Sequence, residues 1–152
     1  MPGEFYIEGK KEKTDITDVL NIVTQVQNNV TTLVTKSEGA PPVTGSTTGN
    51  WQTAESDVVT IGVHNARYKV HSLAISINNL VGTNITVRLY MLVNGVERKV
   101  YEQAFDATTD PPGLWVVNGT VGIHEVLRVT LQSNNAADNG KAVDYDYMLE
   151  AM

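Results

Sequence analysis

Few side chains in this sequence have types and spacings that could support chemistry, and the three histidines are the first candidates. His64, His71 and His124 lie neither at the i, i+4 spacing nor at another spacing typical of metal ligands. His71 alternates with Leu73 and Ile75 in a strand pattern, which predicts a histidine at a sheet edge. We therefore expect no metal site, no catalytic histidine and no cofactor.

Carboxylates form the second set of candidates. Glu97 and Glu102 come nearest to a catalytic pair, but glycoside hydrolysis needs one carboxyl with a raised pKa, and nothing nearby indicates a substrate cleft. A second cluster could offer oxygen ligands to calcium, although it lacks the EF-hand spacing and its residues are also ordinary turn formers. This cluster comprises Asp138, Asp144 and Asp146 with Asn134, Asn135 and Asn139. Because no nucleophile elbow, P-loop or Rossmann glycine pattern occurs either, we expect no enzyme.

Two tryptophans could do a different kind of chemistry, because exposed aromatic rings stack against sugars. Trp115 directly follows Pro111-Pro112-Gly113 and could lie at the rim of a loop, so it is the candidate ligand contact. The alternative is that Trp51 and Trp115 both fill the core or a subunit interface, as large aromatic side chains usually do. Exposure of Trp115 beside a groove would favour sugar binding, whereas burial of both would favour a structural role.

Composition narrows the class of protein further. The 152 residues are enough for one ordinary domain with an appendage, and the charged share of 18% is below the typical value of about 25%. The net charge of −6 argues against nucleic acid as a partner. No apolar run reaches the roughly 18–20 residues of a membrane helix, and no secretory signal pattern is present. We expect a soluble protein that is made in a cytoplasm and packs against other proteins.

The elements that position these residues begin with a heptad repeat near the N-terminus. Apolar, mostly β-branched residues recur every seven residues at two positions, a spacing that fits a helix over residues 15–35 better than a strand. β-branched residues at both positions favour three or more helices over two, so we predict a homotrimer. The residues of this predicted seam are Ile16, Val19, Val23, Val26, Val30 and Leu33.

The chain divides into four predicted segments. These are an N-terminal arm (residues 1–13), a coiled-coil helix (14–36), a flexible linker rich in Pro, Gly, Ser and Thr (37–50) and a β head (51–152). In the arm, Phe5, Tyr6 and Ile7 are apolar residues without a place among the strands of the head. An exposed apolar strand needs a partner to cover it, so we expect the arm to bind a partner surface.

The head has the pattern of an antiparallel β protein. Asn94-Gly95 predicts a hairpin, and Asn118-Gly119 predicts a second one. Strict pairing across the first hairpin would place Arg98 and Glu102 on an apolar face. Either these two residues pair at the margin of the sheet or a bulge switches the face partway along the strand, and we favour the bulge because it would turn Tyr101 and Phe105 inward. Seven or eight short strands predict an antiparallel β-sandwich or jelly roll.

This organisation resembles that of phage capsid decoration proteins and short fibre proteins, whose trimers project β-rich heads from a shell or tail. The resemblance covers the whole chain and rests on the seam from Ile16 to Leu33 and on the repeated Asn-Gly pairs. It implies a non-enzymatic virion protein, made in the host cytoplasm, that binds a protein lattice such as a capsid. Two alternatives remain open: a trimeric carbohydrate- or receptor-binding module, and a filament subunit whose arm adds as a strand to a neighbour's sheet.

Overall fold

The computed structural model describes residues 16–38 and 41–152, with the side chains of the helix described as far as residue 34. The chain separates into two compact units, Met1–Gly39 and Ala40–Met152. Among the described residues, the first unit contains one helix, α1, and the second contains eight strands. The predicted arm, with Phe5, Tyr6 and Ile7, lies outside the described residues.

Helix α1 spans Ile16–Glu38 and is about 34 Å long at 1.5 Å per residue. Threonine and valine are poor helix formers, but Thr24, Thr31 and Thr32 donate their hydroxyl hydrogens to carbonyl oxygens four residues earlier, each at 2.9 Å. The helix therefore satisfies these hydroxyls internally. The predicted helix is confirmed, while its association with other helices stays a prediction.

The second unit is a β-sandwich-like arrangement of two four-stranded sheets. Sheet A has the strand order β1-β8-β3-β6, and sheet B has the order β2-β7-β4-β5, with every neighbouring pair antiparallel. The strands are β1 (Pro42–Thr48), β2 (Ser56–Ile61), β3 (Tyr68–Ser76), β4 (Ile85–Val93), β5 (Val96–Phe105), β6 (Gly113–Ile123), β7 (Leu127–Ser133) and β8 (Ala142–Ala151). The mainly β, antiparallel class predicted from the sequence is confirmed.

Four of these strand pairs are nested around a single tight turn. The innermost pair, β4·β5, closes at Asn94-Gly95, and the pairs β3·β6, β2·β7 and β1·β8 follow outward along the chain. Asn94 has φ 52° and Gly95 has φ 74°, the two positive values that a type I′ turn requires. The first predicted hairpin is therefore confirmed.

The inner faces of both sheets share one hydrophobic core, which follows from the alternation of side chains along each strand. Leu127, Val129 and Leu131 of β7 are buried as predicted. In β8, Val143 is buried and Tyr145 packs against the core together with Tyr147 and Leu149, so the predicted inward face of this strand is also confirmed.

A β-bulge in β5 resolves the conflict between charge and alternation. Leu89 pairs with Tyr101 whereas Tyr90 pairs with Lys99, so Val100 is the extra residue. The extra residue reverses the faces of the strand, and Tyr101 and Phe105 both pack against the core. The predicted bulge and its consequence are confirmed.

The predicted hairpin at Asn118-Gly119 is wrong, because β6 continues through both residues. Gly119 has φ 128°, but Asn118 is not among the residues with positive φ, so the pair cannot form a type I′ turn. The register against β3 instead shifts here, where Val70 pairs with Val121 but Ser72 pairs with Asn118. Gly119 thus lies in a bulge of a long strand rather than in a turn.

The predicted linker over residues 37–50 is also wrong, because half of it, Pro42–Thr48, forms strand β1, paired with β8. A run of Gly, Ser and Thr is typical of flexible segments, but Gly45 has a packing role here. A Cβ atom at Gly45 would overlap the ring of Tyr145, so only glycine lets the two strands pair with this ring between the sheets. The head accordingly begins near residue 41 and not at residue 51.

A buried carboxylate, that of Asp138 in the connection between β7 and β8, holds separate parts of the head together. Asp138 is fully buried and accepts hydrogen bonds from the backbone N–H groups of Val81 (2.8 Å) and Gly82 (3.0 Å) and from the Ser133 hydroxyl (2.6 Å). Lys141 supplies the opposite charge at 3.5 Å. Both carboxylate oxygens are therefore used to hold the β3–β4 connection against β7.

The position of β1 predicts how truncations behave. A chain starting at Pro41 should unfold cooperatively, because it retains all eight strands. A chain starting at Gly49 loses the seven residue pairs between β1 and β8, and we expect its free energy of unfolding to be lower by about 3 kcal/mol or more. Thermal and urea melts of the two chains measure the difference, and equal stability would contradict the assignment of β1 to the head.

Removal of the buried carboxylate gives a second stability prediction. Asp138→Ala leaves two backbone N–H groups and one hydroxyl without an acceptor, so unfolding should become easier by about 2–4 kcal/mol. Asp144→Asn, on an exposed position of β8, is the matched control and should change stability little. Chemical denaturation of both variants decides between a structural role for Asp138 and none.

Candidate functional site

The outer face of sheet A carries an aromatic and polar groove that we call the Trp115 trough. Strand register places Thr44, Asp146, Ala74 and Trp115 in one row across the four strands. Residues paired in this way point to the same face of the sheet. The row therefore joins a hydroxyl, a carboxylate, a methyl group and an indole ring on one surface.

Small side chains of the central strand β3 make this surface concave. Ala74 lies between Asp146 and Trp115, and the floor continues through Ser72, next to Met148. The resulting hollow has a volume of about 350 Å³. A second hollow of about 190 Å³ shares Ala74 and Asp146 with the first and continues over Ser76, Gly113 and Asp144, the last of them in the adjacent row.

The carboxylates of the trough are not used by the rest of the head. Within residues 16–38 and 41–152, neither Asp144 nor Asp146 accepts a hydrogen bond or forms an ion pair through its side chain. Their exposed positions alternate along β8 with the inward-facing Tyr145 and Tyr147, as the sequence pattern predicts. Both carboxylates can therefore accept hydrogen bonds from a ligand.

The two tryptophans have opposite environments. Trp51 is fully buried, and its indole N–H donates to the carbonyl oxygen of Lys141 at 2.8 Å. Trp115 is 63% exposed, because it alternates with the buried Leu114 and Val116 along β6. The first of the two outcomes expected from the sequence is therefore found, since Trp115 is exposed beside a groove and only Trp51 fills the core.

The outer face of sheet B is occupied by its own ion pairs. Arg128 donates to both carboxylate oxygens of Glu97 at 2.7 and 2.8 Å and to Asp57 at 2.8 Å, while its guanidinium lies 4.5 Å from the ring centre of Tyr90. These contacts raise the pKa of Arg128 above its ordinary value, chiefly through the hydrogen bonds to Glu97. The face therefore presents neutralised pairs and not free ligands.

Arg88 forms the second centre of this charge network. Its guanidinium contacts Glu102 at 2.7 Å and Glu55 at 3.2 Å, and Lys99 also contacts Glu102, at 2.6 Å. Hydrogen bonds from Lys99 and then from Arg88 hold the pKa of Glu102 below its usual range, and Arg128 does the same to the pKa of Glu97. Neither carboxyl resembles a general acid, which needs a raised pKa.

His64 and His71 contact two different glutamates. His64 contacts Glu125 at 2.6 Å, and His71 contacts Glu150 at 2.8 Å and the Thr120 hydroxyl at 3.1 Å. The prediction of a sheet-edge position for His71 is wrong, because β3 lies between β8 and β6 and a register shift at this residue separates its face from that of Leu73. The hydrogen bond from His71, followed by that from Lys69, lowers the pKa of Glu150.

The candidate calcium ligands are divided between two regions. Asp138 is engaged by the backbone and by Ser133, whereas Asp144 and Asp146 lie on the outer face of sheet A. In the part of the chain that the structure describes, no group of three or more His, Asp or Glu side chains could hold a metal ion. No helix in that part is long and apolar enough to cross a membrane.

Helix α1 offers the second candidate surface. Each of the six predicted seam residues is between 45% and 75% exposed, and they form one stripe along the helix. Among residues 16–34 the single ionisable side chain is Asp18. The stripe is therefore uncharged as well as apolar.

Comparisons with models of protein families, with curated proteins and with solved structures give no match to this chain. The Trp115 trough and the apolar stripe of α1 are therefore the two surfaces from which we infer a function.

The charge network of sheet B predicts how stability depends on pH. Glu97 and Glu102 have lower pKa values in the folded chain than in the unfolded chain, so the unfolded chain binds protons more readily in acid. Their contribution to the stability of the folded chain is complete above the ordinary pKa of glutamate. It is lost as the pH falls through the lower pKa values that the two side chains have in the folded chain. We expect melting temperatures to fall below about pH 4.5.

Two variants test the origin of this acid sensitivity. Glu97→Gln removes one of the titrating partners and should make the decline between about pH 5 and pH 3 shallower. Asp144→Asn removes a carboxylate that has no ion pair among the described residues and should leave the slope unchanged. Calorimetry across this range measures both, and identical slopes for Glu97→Gln and the unmutated protein would contradict the assignment.

Proposed function

We propose that this protein is a non-enzymatic virion accessory protein that forms trimers through helix α1 and presents three β heads on a particle surface such as a capsid. In this proposal it is made in the host cytoplasm and incorporated into the virion. The organisation of the chain, which resembles that of phage decoration and short fibre proteins, supports the proposed location in the virion. Helix α1 supports the proposed trimer.

The exposed stripe of α1 is the observation that carries the proposal. Six apolar seam residues lie open to solvent in the single chain, and large apolar surfaces of this kind are normally covered by a partner. A helix with such a stripe and poor intrinsic propensity gains stability by packing against copies of itself. A coiled coil is therefore the state that we assign to α1.

The width of the stripe favours three or more helices over two. Leu20, Ile22 and Val34 flank the seam and are also exposed, at heptad positions where two-stranded coiled coils usually have charged residues. Apolar side chains at these flanking positions allow each helix to contact two neighbours at once. A trimer is the smallest closed assembly that uses them.

We also propose that the head is an eight-stranded jelly roll. The sheet orders β1-β8-β3-β6 and β2-β7-β4-β5 support this assignment, since they are the orders expected when one long hairpin of nested strand pairs folds over into two sheets. Jelly rolls occur in viral capsid and lectin domains. The fold alone does not decide between these functions, because function depends on the site.

In the same proposal the N-terminal arm contributes to attachment. Phe5, Tyr6 and Ile7 form an apolar group that could add as a strand to a protein lattice, with main-chain hydrogen bonds supplying affinity. Three arms in one trimer would multiply a weak contact. A filament that grows by the same strand addition is the competing use of the arm.

The assembly can be tested by charge placed inside and outside the stripe. The double variant Val23→Asp and Val26→Asp should dissociate the trimer, because each buried, unpaired carboxylate costs about 3–5 kcal/mol. Asn21→Asp with Asn28→Asp is the matched control, since it adds the same charge outside the seam and should leave the trimer intact. Light scattering coupled to size exclusion measures the mass of each. A monomeric mass for the unmutated protein at micromolar concentration would overturn the proposal.

A second candidate function is a trimeric carbohydrate- or receptor-binding module. The exposure of Trp115 beside a groove is the specific observation that favours it. The two functions are compatible, because a head displayed on a particle can also bind a ligand. The ligand of the trough is therefore a separate question from the assembly.

A further inference from the structure

We infer that the Trp115 trough binds a neutral oligosaccharide of at least two sugar units, with the ring of Trp115 as the stacking surface. The inference rests on the second proposed function and names the ligand class and the residues that recognise it. It does not depend on the oligomeric state of helix α1, because all the residues of the trough belong to one head.

The chemistry of the trough matches both kinds of surface that a sugar presents. The C–H groups on one face of a pyranose ring pack against an aromatic ring, and Trp115 offers an indole that is 63% exposed. The hydroxyl groups around the ring edge donate and accept hydrogen bonds. Asp146 and Thr44, in the same row as Trp115, can accept and donate them, respectively.

The length of the trough indicates more than one sugar unit. The hollows of about 350 and 190 Å³ are neighbours that share Ala74 and Asp146 among their lining residues. Asp144 and Asp146 point to the same face two residues apart on β8, which places them about 7 Å apart along the strand. A ligand that fills both hollows therefore extends beyond a single ring.

The negative charge of the trough favours neutral sugars over anionic ones. Asp144 and Asp146 are free carboxylates on this face, and the whole chain has a net charge of −6. Both would repel sialylated or sulphated sugars, because like charges brought together cost free energy. Neutral hydroxyl donors instead complement the two carboxylates.

A basic peptide is the main competing occupant, since a cation can also lie over an indole ring. The hydroxyls that border the trough favour the sugar. Ser72 and Ser76 line it, and Thr44 and Ser46 lie beside it on β1, paired with Asp146 and Asp144. A hydroxyl hydrogen has no acceptor on a lysine or arginine side chain. A sugar uses these groups both as donors and as acceptors.

The test measures binding of the full-length protein to a printed array of neutral, sialylated and sulphated glycans and to a polylysine spot. We expect signals on neutral glycans. The matching soluble oligosaccharide should then protect Trp115 from acrylamide quenching, whereas the buried Trp51 contributes a constant background.

Variants assign the binding to the trough. Trp115→Ala should weaken binding about tenfold or more, and Asp146→Asn should weaken it less. Val121→Ala, a truncation of an exposed residue on the same strand outside the trough, is the matched control and should bind like the unmutated protein. Trp115→Phe should retain part of the affinity if stacking is the cause.

Three outcomes would overturn the inference: no signal on any neutral glycan, signals confined to anionic glycans or polylysine, or neutral binding that Trp115→Ala leaves unchanged. The dissociated variant Val23→Asp and Val26→Asp separates this inference from the assembly. If it binds glycan with the same dependence on Trp115 but with lower avidity, both proposals stand. If the unmutated protein is monomeric and still shows Trp115-dependent binding, the proposed trimer is contradicted and the proposed sugar site is supported.

Discussion

The nested pairing of strands around Asn94-Gly95 is the constraint on which the rest of the head depends. Once this turn fixes β4 against β5, the pairs β3·β6, β2·β7 and β1·β8 follow outward along the chain, and successive pairs lie alternately in sheet B and sheet A. The bulge at Val100 then keeps the register of β5 compatible with burial of Tyr101. One turn and one extra residue thus decide which side chains of β5 reach the core and which remain outside.

The two outer faces of the head differ because their charged residues are distributed differently. On sheet B, Arg88 and Arg128 each bind two carboxylates, so the charges satisfy one another. On sheet A, Asp144 and Asp146 lie opposite hydroxyls and small side chains, and neither forms an ion pair within residues 16–38 and 41–152. The first face is therefore suited to stability and the second to recognition.

Alternation and turn chemistry predicted much of this fold from the sequence, and the exceptions have local physical causes. The strands flanking Asn94-Gly95 and the inward residues of β7 and β8 follow from period-two patterns. Strand β1 was missed because its Gly45 is required by the ring of Tyr145, a contact between distant residues that local composition cannot reveal. The hairpin predicted at Asn118-Gly119 is wrong because the Asn-Gly dipeptide does not determine one structure: it forms a turn at residues 94–95 and lies in a bulge at residues 118–119.

The candidate site could be predicted only in part, because it depends on register across four strands. The sequence singles out Trp115, but not its row with Ala74 and Asp146, which are far apart in the chain. The helical seam, by contrast, needs only local spacing and is visible at once. In the proposed function, a coiled coil specified by local pattern and a head face specified by long-range pairing can change independently, so the same assembly could carry heads with different ligands. The trough is then where the proposed ligand specificity should reside.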